Sequence, residues 1–129
     1  MKKILIAEDN LLSRELLKDI LTYDGYEILE AEDGETAVEK TRLHKPGLVF
    51  MDIQMPVMDG YAAIRNLRSD PVTKEIPIVV VTSFAMKGDR DKALAAGADE
   101  YISKPFDTRY IRKIAADAVR GGRKNFSHG

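Results

Sequence analysis

Apolar positions recur along the chain in two alternating rhythms. Short runs of β-branched and Leu residues occupy 2–7, 27–31, 47–51, 76–82 and 99–103, and each is followed by a segment whose apolar residues return every three or four positions. The first rhythm predicts strands and the second amphipathic helices. After the first strand, Asn10 is placed to cap a helix running to about Tyr23, with Leu12, Leu16, Leu17, Ile20 and Leu21 as its inward stripe and Asp24-Gly25 as its stop. Asp33-Gly34 opens a second helix through Ala37, Val38, Thr41 and Leu43, which His44-Lys45-Pro46-Gly47 breaks.

The run Gly47-Leu48-Val49-Phe50-Met51 ends in Asp52, and Pro56 follows closely. A third helix over about 61–68 turns Ile64 and Leu67 inward. The run at 76–82 is the strongest strand signal, with Pro77 near its beginning where a missing amide is tolerated, and it is expected to be central and covered on both faces. Residues 86–96 predict a helix rich in Ala and charge, interrupted by Gly88 and ended by Gly97, so it should be the loosest helix. Tyr110, Ile111, Ile114, Ala115, Ala118 and Val119 mark the last amphipathic helix, and Gly121-Gly122 closes the fold. The remaining Gly-rich, basic segment, 121–129, reads as a short solvated tail after a single domain over 1–120.

Five strand-then-helix units in succession specify an α/β domain, a parallel sheet covered by helices on both faces with right-handed crossovers. In such a sheet the site lies beyond the carboxyl ends of the strands. Glu8-Asp9, Asp52, Thr82-Ser83 and Lys104 all follow strands, so they share that edge.

Composition narrows the chemistry. The chain has 129 residues, 44% of them hydrophobic and 32% charged, with a formal net charge of -1, which fits one globular domain and offers no bulk attraction to nucleic acid. There is no cysteine, which removes disulfides and thiolate metal sites. No apolar stretch reaches the roughly 18 residues of a membrane helix, Glu8-Asp9 cuts the first run too short for a signal peptide, and a cytoplasmic location is expected.

Taken singly, Asp9 fits a helix start and Asp52 a turn cap. Three carboxylates on one edge repel and raise one another's pKa unless a cation joins them, and Mg²⁺ suits oxygen ligands that leave room for water and phosphate. A metal-bound aspartate held in line with a phosphoryl donor can form an acyl phosphate, which makes Asp52 the candidate nucleophile. Lys104 and the Thr82 hydroxyl are then placed to meet charge on the phosphoryl oxygens.

Glu8-Asp9, Met51-Asp52-Ile53-Gln54-Met55-Pro56 with Gly60, Thr82, Tyr101 and Lys104-Pro105 together resemble the receiver domain of bacterial two-component response regulators, over about residues 2–119. The resemblance implies a flavodoxin-like (βα)5 fold with strand order 2-1-3-4-5. It implies phosphorylation of Asp52 and Mg²⁺ held by Glu8, Asp9, the Asp52 carboxylate and the Gln54 backbone carbonyl. Thr82 and Lys104 would bind the phosphoryl group, Thr82 and Tyr101 would act as the switch pair, and Lys104-Pro105 would be a cis peptide. The family ties phosphate lifetime to the positions of Gln54 and Phe84. The segment Ser83-Phe84-Ala85-Met86-Lys87-Gly88-Asp89 is similar to that of DivK-type single-domain regulators and of receivers attached to hybrid kinases, and the chain as a whole resembles single-domain regulators of the chemotaxis and DivK types.

The implied partners are a histidine kinase or phosphotransfer protein and a downstream protein target, reached through the face of the fourth helix, fifth strand and fifth helix. No DNA-binding domain, no membrane contact, a monomeric or weakly dimeric state, and no enzymatic activity beyond self-phosphorylation and autodephosphorylation complete the expectation. A haloacid-dehalogenase-type phosphohydrolase would place D-x-D after its first strand, where this chain has Glu8-Asp9-Asn10. A flavin-binding domain would need a phosphate loop there, which these acids would repel.

Overall fold

A computed structural model describes residues 2–83 and 86–126. Five parallel strands, β1 (Lys3–Ala7), β2 (Glu27–Ala31), β3 (Leu48–Met51), β4 (Ile78–Thr82) and β5 (Glu100–Ser103), form one sheet in the order β2-β1-β3-β4-β5. They alternate with α1 (Leu11–Tyr23), α2 (Gly34–His44), α3 (Gly60–Ser69), α4 (Asp89–Ala96) and α5 (Thr108–Gly121). This is the flavodoxin-like doubly wound architecture expected. β3 is the middle strand, and β4, expected in the centre, lies beside it with every residue buried.

Strand alternation sorts the apolar residues into two cores. Leu5, Val49, Met51, Ile78 and Val80 face Ala37, Ala63, Ile64, Leu67 and Ala93 of α2, α3 and α4. Ile4, Ile6, Phe50, Val79 and Val81 face Leu17, Leu21, Ile111, Ile114 and Ala118 of α1 and α5. The inner strands read as continuous apolar runs because both of their faces are covered.

Helix starts follow their caps. The side chains of Asn10, Asp33, Asp59 and Asp107 accept from the backbone N–H of Ser13, Thr36, Ala62 and Arg109. The helix expected over 86–96 begins only at Asp89, because Gly88 takes φ 89° and cannot continue a right-handed turn. Within α4 only Ala93 is buried, in keeping with a thinly anchored element.

Two expectations change. On α1 the leucines outnumber what one face can hold: Leu17 and Leu21 are buried, but Leu12 is 81% exposed and Leu16 52%, while Arg14 occupies the interior edge. From Gly122 to Phe126 the chain does not run off into solvent. A 3₁₀ turn (Gly122–Asn125) follows, Arg123 Nε donates to Asp99 Oδ1 at 2.8 Å, and Phe126 packs against the α1/α5 core. Asp99 is buried and also binds Arg68 Nη2 at 2.8 Å and the Ile78 N–H at 2.9 Å, so a buried acid before β5 draws the segment in. Phe84 lies outside the described residues, as does the end of the segment, 127–129.

Candidate functional site

The carboxyl edge of the sheet gathers most of the polar residues singled out in the sequence. Glu8, Asp9, Asn10, Asp52, Gln54, Ser83 and Lys104 line one cavity of about 460 Å³. Glu8 is buried just past β1 and Asp52 just past β3, whereas Asp9 stands exposed at the rim. Carboxylate oxygens of Glu8, Asp9 and Asp52 lie within 4.8 Å of one another.

Backbone geometry holds each acid in place. The Asp52 N–H donates to Ala7 O at 3.0 Å, carrying β3 one step beyond its regular pairing, and Asp52 Oδ1 accepts from the Gln54 N–H at 2.9 Å. Gly60 packs directly on the Asp52-Ile53 peptide: a Cβ there would stand 2.6 Å from Ile53 Cα, so only glycine allows α3 to start this close. In the loop between them, Val57 takes φ 67°, a left-handed conformation unusual for a β-branched residue.

The electrostatics are those of a crowded anionic site. Burial, reinforced by the hydrogen bond with the Glu8 carboxyl, pushes Asp52 up to about 7 despite the opposing Gln54 N–H and Lys104 charge. The Lys104 ammonium is hydrogen-bonded to Glu8 Oε1 and lies 3.9 Å from Asp52 Oδ2. The Lys104-Pro105 bond is cis, and the Lys104 N–H donates to Thr82 O at 2.8 Å. Two mutually repelling carboxyls with one ammonium, beside an exposed third acid, make a donor set of hard oxygens that fits a divalent ion such as Mg²⁺.

Thr82 and Tyr101 stand differently from the rest. Thr82 ends β4 and is fully buried, outside the lining of the cavity, whose wall on this side is the next residue, Ser83. The Tyr101 ring packs inward against the α3/α4 core, and its hydroxyl is buried with no hydrogen-bond partner among the described residues. Beside it, Tyr61 Oη donates to Asp89 Oδ1 at 3.1 Å while Asp89 Oδ2 accepts from the Met86 N–H at 2.8 Å, so α3 holds the start of α4. Burial and then Asp89 push the Tyr61 phenol up to about 12.

Sequence reading placed Ser83 on this edge, where it forms a wall of the cavity, and missed Arg14 as the support of the site. Only contact with the acidic loop reveals the latter: Arg14 Nη1 donates to Glu8 O at 2.8 Å.

A doubly wound sheet carrying an acid triad and a lysine beyond its carboxyl edge places the chain among flavodoxin-like α/β domains with a site at the strand ends. Residues 4–116 match the response regulator receiver domain model, and the chain belongs to that family. It is 39% identical over 114 residues to the polar-differentiation response regulator DivK of Brucella anthropi, covering 88% of this chain and 93% of that protein, and the Brucella ovis DivK matches equally. Among solved structures, the receiver domain of a Pseudomonas aeruginosa sensor histidine kinase, which holds a magnesium ion in its active-site cleft, superposes with a TM-score of 0.86 at 31% identity, covering 93% of this chain and 98% of that one. The receiver domain of a Syntrophus aciditrophicus signal transduction histidine kinase gives a TM-score of 0.86 at 34% identity, covering 94% and 92%.

Proposed function

We propose that the chain is a phosphoacceptor switch that takes a phosphoryl group onto Asp52 from a histidine kinase or phosphotransfer protein. The observation that carries this reading is the meeting of the Glu8, Asp9 and Asp52 carboxylates within 4.8 Å, with Lys104 3.9 Å from Asp52. An Asp52 oxygen attacks phosphorus, an O–P bond forms as the N–P bond to the donor imidazole breaks, and the departing nitrogen keeps the bonding pair and takes a proton. Glu8, Asp9, Asp52 and the Gln54 carbonyl would hold Mg²⁺, which supplies charge neutralisation at the transferring oxygens. Lys104 exchanges its carboxylate partner for a phosphoryl oxygen, and Thr82 offers its hydroxyl from the end of β4. Hydrolysis of the acyl phosphate, with water attacking phosphorus, releases inorganic phosphate, restores the Asp52 carboxylate and resets the switch.

The donor is best met as a protein. Leu11, Leu12 and Leu16 are exposed beside the cavity, and Leu16 lines with Pro105 and Phe106 a groove of about 400 Å³ that shares Ser13, Ser83 and Lys104 with the reactive site. The output is read on the α4-β5-α5 face, where α4 is weakly anchored and Tyr101 reports phosphorylation, and the listener is a protein.

Incubation with Mg²⁺ and acetyl phosphate, followed by intact-mass measurement, tests the reading. One added phosphoryl group that disappears in Asp52→Asn is expected; absence of addition, or addition surviving that substitution, overturns it.

A further inference from the structure

The peptide unit that joins Glu8 to Asp9 carries two of the three acids, so its orientation sets where both carboxylates aim. The described β1 pairings end at Ala7, and past that point the regular ladder no longer fixes the chain. The Glu8 N–H is retained by Ala31 O at 3.0 Å, but its carbonyl, which defines the peptide plane leading into Asp9, has Arg14 as its partner, at 2.8 Å from Nη1. The guanidinium is itself held: Arg14 is 7% exposed, Nε donates to Glu30 Oε1 at 3.1 Å and Nη2 to Glu32 Oε1 at 3.2 Å. Glu30 is steadied in turn by Lys18 Nζ at 3.2 Å.

We infer that Arg14 is a positioning residue for the divalent-ion site, fixing the Glu8-Asp9 peptide against the end of β2 so that the two carboxylates converge with Asp52. The inference rests on the phosphoacceptor reading and adds the device that presets its metal ligands. A planar fork is required, because three acceptors on two segments, Glu8 beyond β1 and Glu30 with Glu32 at the end of β2, are held from three nitrogens of one rigid group. Lysine keeps the charge but not the fork, and glutamine keeps neither.

The test counts bound metal with no phosphorylation involved. Free Mn²⁺, which shares the preference of Mg²⁺ for oxygen ligands, is followed by its electron paramagnetic resonance signal as protein is added, and Mg²⁺ is measured by competition. Wild type, Arg14→Lys and Arg14→Gln are compared after circular dichroism shows each folded, and Arg14→Lys, which retains stem and charge, carries the test if the glutamine variant does not fold. Affinity should fall about 10-fold or more in Arg14→Gln and several-fold in Arg14→Lys, the range typical of groups that orient metal ligands. Phosphorylation by acetyl phosphate should recover to near the wild-type rate at saturating Mg²⁺, because the reacting groups are intact. Variants that melt earlier yet bind Mn²⁺ and Mg²⁺ as tightly as wild type would make Arg14 purely structural and overturn the inference alone. A wild-type protein that binds neither ion would overturn the phosphoacceptor reading with it.

Discussion

The Lys104 ammonium is hydrogen-bonded to Glu8 and stands 3.9 Å from Asp52, so a single cation is shared by a proposed metal ligand and the proposed phosphoacceptor. It neutralises the site from within and competes with any ion entering it. Replacing it should therefore separate stability from chemistry. Lys104→Met leaves Glu8 buried without its partner and should cost on the order of 3 kcal/mol in metal-free buffer. Mg²⁺ should raise the melting temperature of this variant more than that of wild type, while the phosphorylation rate drops about 100-fold or more with the loss of a preorganised cation. Melting curves across a Mg²⁺ series and acetyl phosphate kinetics check both arms; an equal Mg²⁺ response in the two proteins would mean that lysine and metal do not compete.

Asp52 makes the metal-free fold sensitive to pH. Its folded value is raised to about 7, against roughly 4 for an unfolded aspartate. A raised carboxyl stabilises the fold fully below the unfolded value, and that contribution is lost as pH climbs through the folded one. Wild type should lose stability between pH 5 and pH 8 relative to Asp52→Asn, which carries no titrating group there. At pH 8 the variant should be the more stable by about 1–3 kcal/mol, with little difference near pH 4.5. Thermal melts at matched ionic strength decide the matter, and added Mg²⁺ should close the gap; parallel pH profiles would remove the buried carboxyl pair as its cause.

Tyr101 buries a hydroxyl that has no partner among the described residues. An unsatisfied buried donor costs about 1–3 kcal/mol, so Tyr101→Phe should leave the resting protein as stable or raise its melting temperature by a few degrees. Tyr61→Phe is the contrasting change, because it removes a made bond to Asp89. That variant should lose about 1 kcal/mol and show faster amide hydrogen exchange confined to α4. Destabilisation by both substitutions would place a bonding partner on Tyr101 in solution.

At the other end of the sheet, Asp99 is 2% exposed and is held by Arg68 and Arg123. Arg68→Ala should cost about 3 kcal/mol, since it strips the better buried partner. Arg123→Ala should cost about 1 kcal/mol, its side chain being one-third exposed. Chemical denaturation measures both, and neither change should alter phosphorylation, because Asp99 precedes β5 and the reactive edge follows the strands.

The sheet, its five helices and the edge that bears the acids were legible because inner parallel strands must be continuously apolar and caps must precede helices. Asp52, Glu8, Asp9 and Lys104 could be placed on that edge for the same reason, since each follows a strand, whereas Gln54 entered only through the family resemblance. The leucines of α1 were not, since period 3.6 admits two stripes and only packing chooses between Leu17-Leu21 and Leu12-Leu16. Arg14 was hidden in that same helix, where a basic residue normally reads as solvated. The closing turn was also hidden, because its attraction to Asp99 depends on a charge buried twenty-four residues earlier in the chain.

The contact between Arg123 and Asp99 also has a practical side. It ties the end of the described chain to the rim of the sheet opposite Asp52. A surface tether or fluorophore joined at the exposed Lys124, next to that contact, would therefore leave the molecule away from the reactive rim, so that immobilised protein meets its phosphodonor with the acid cluster facing the solution.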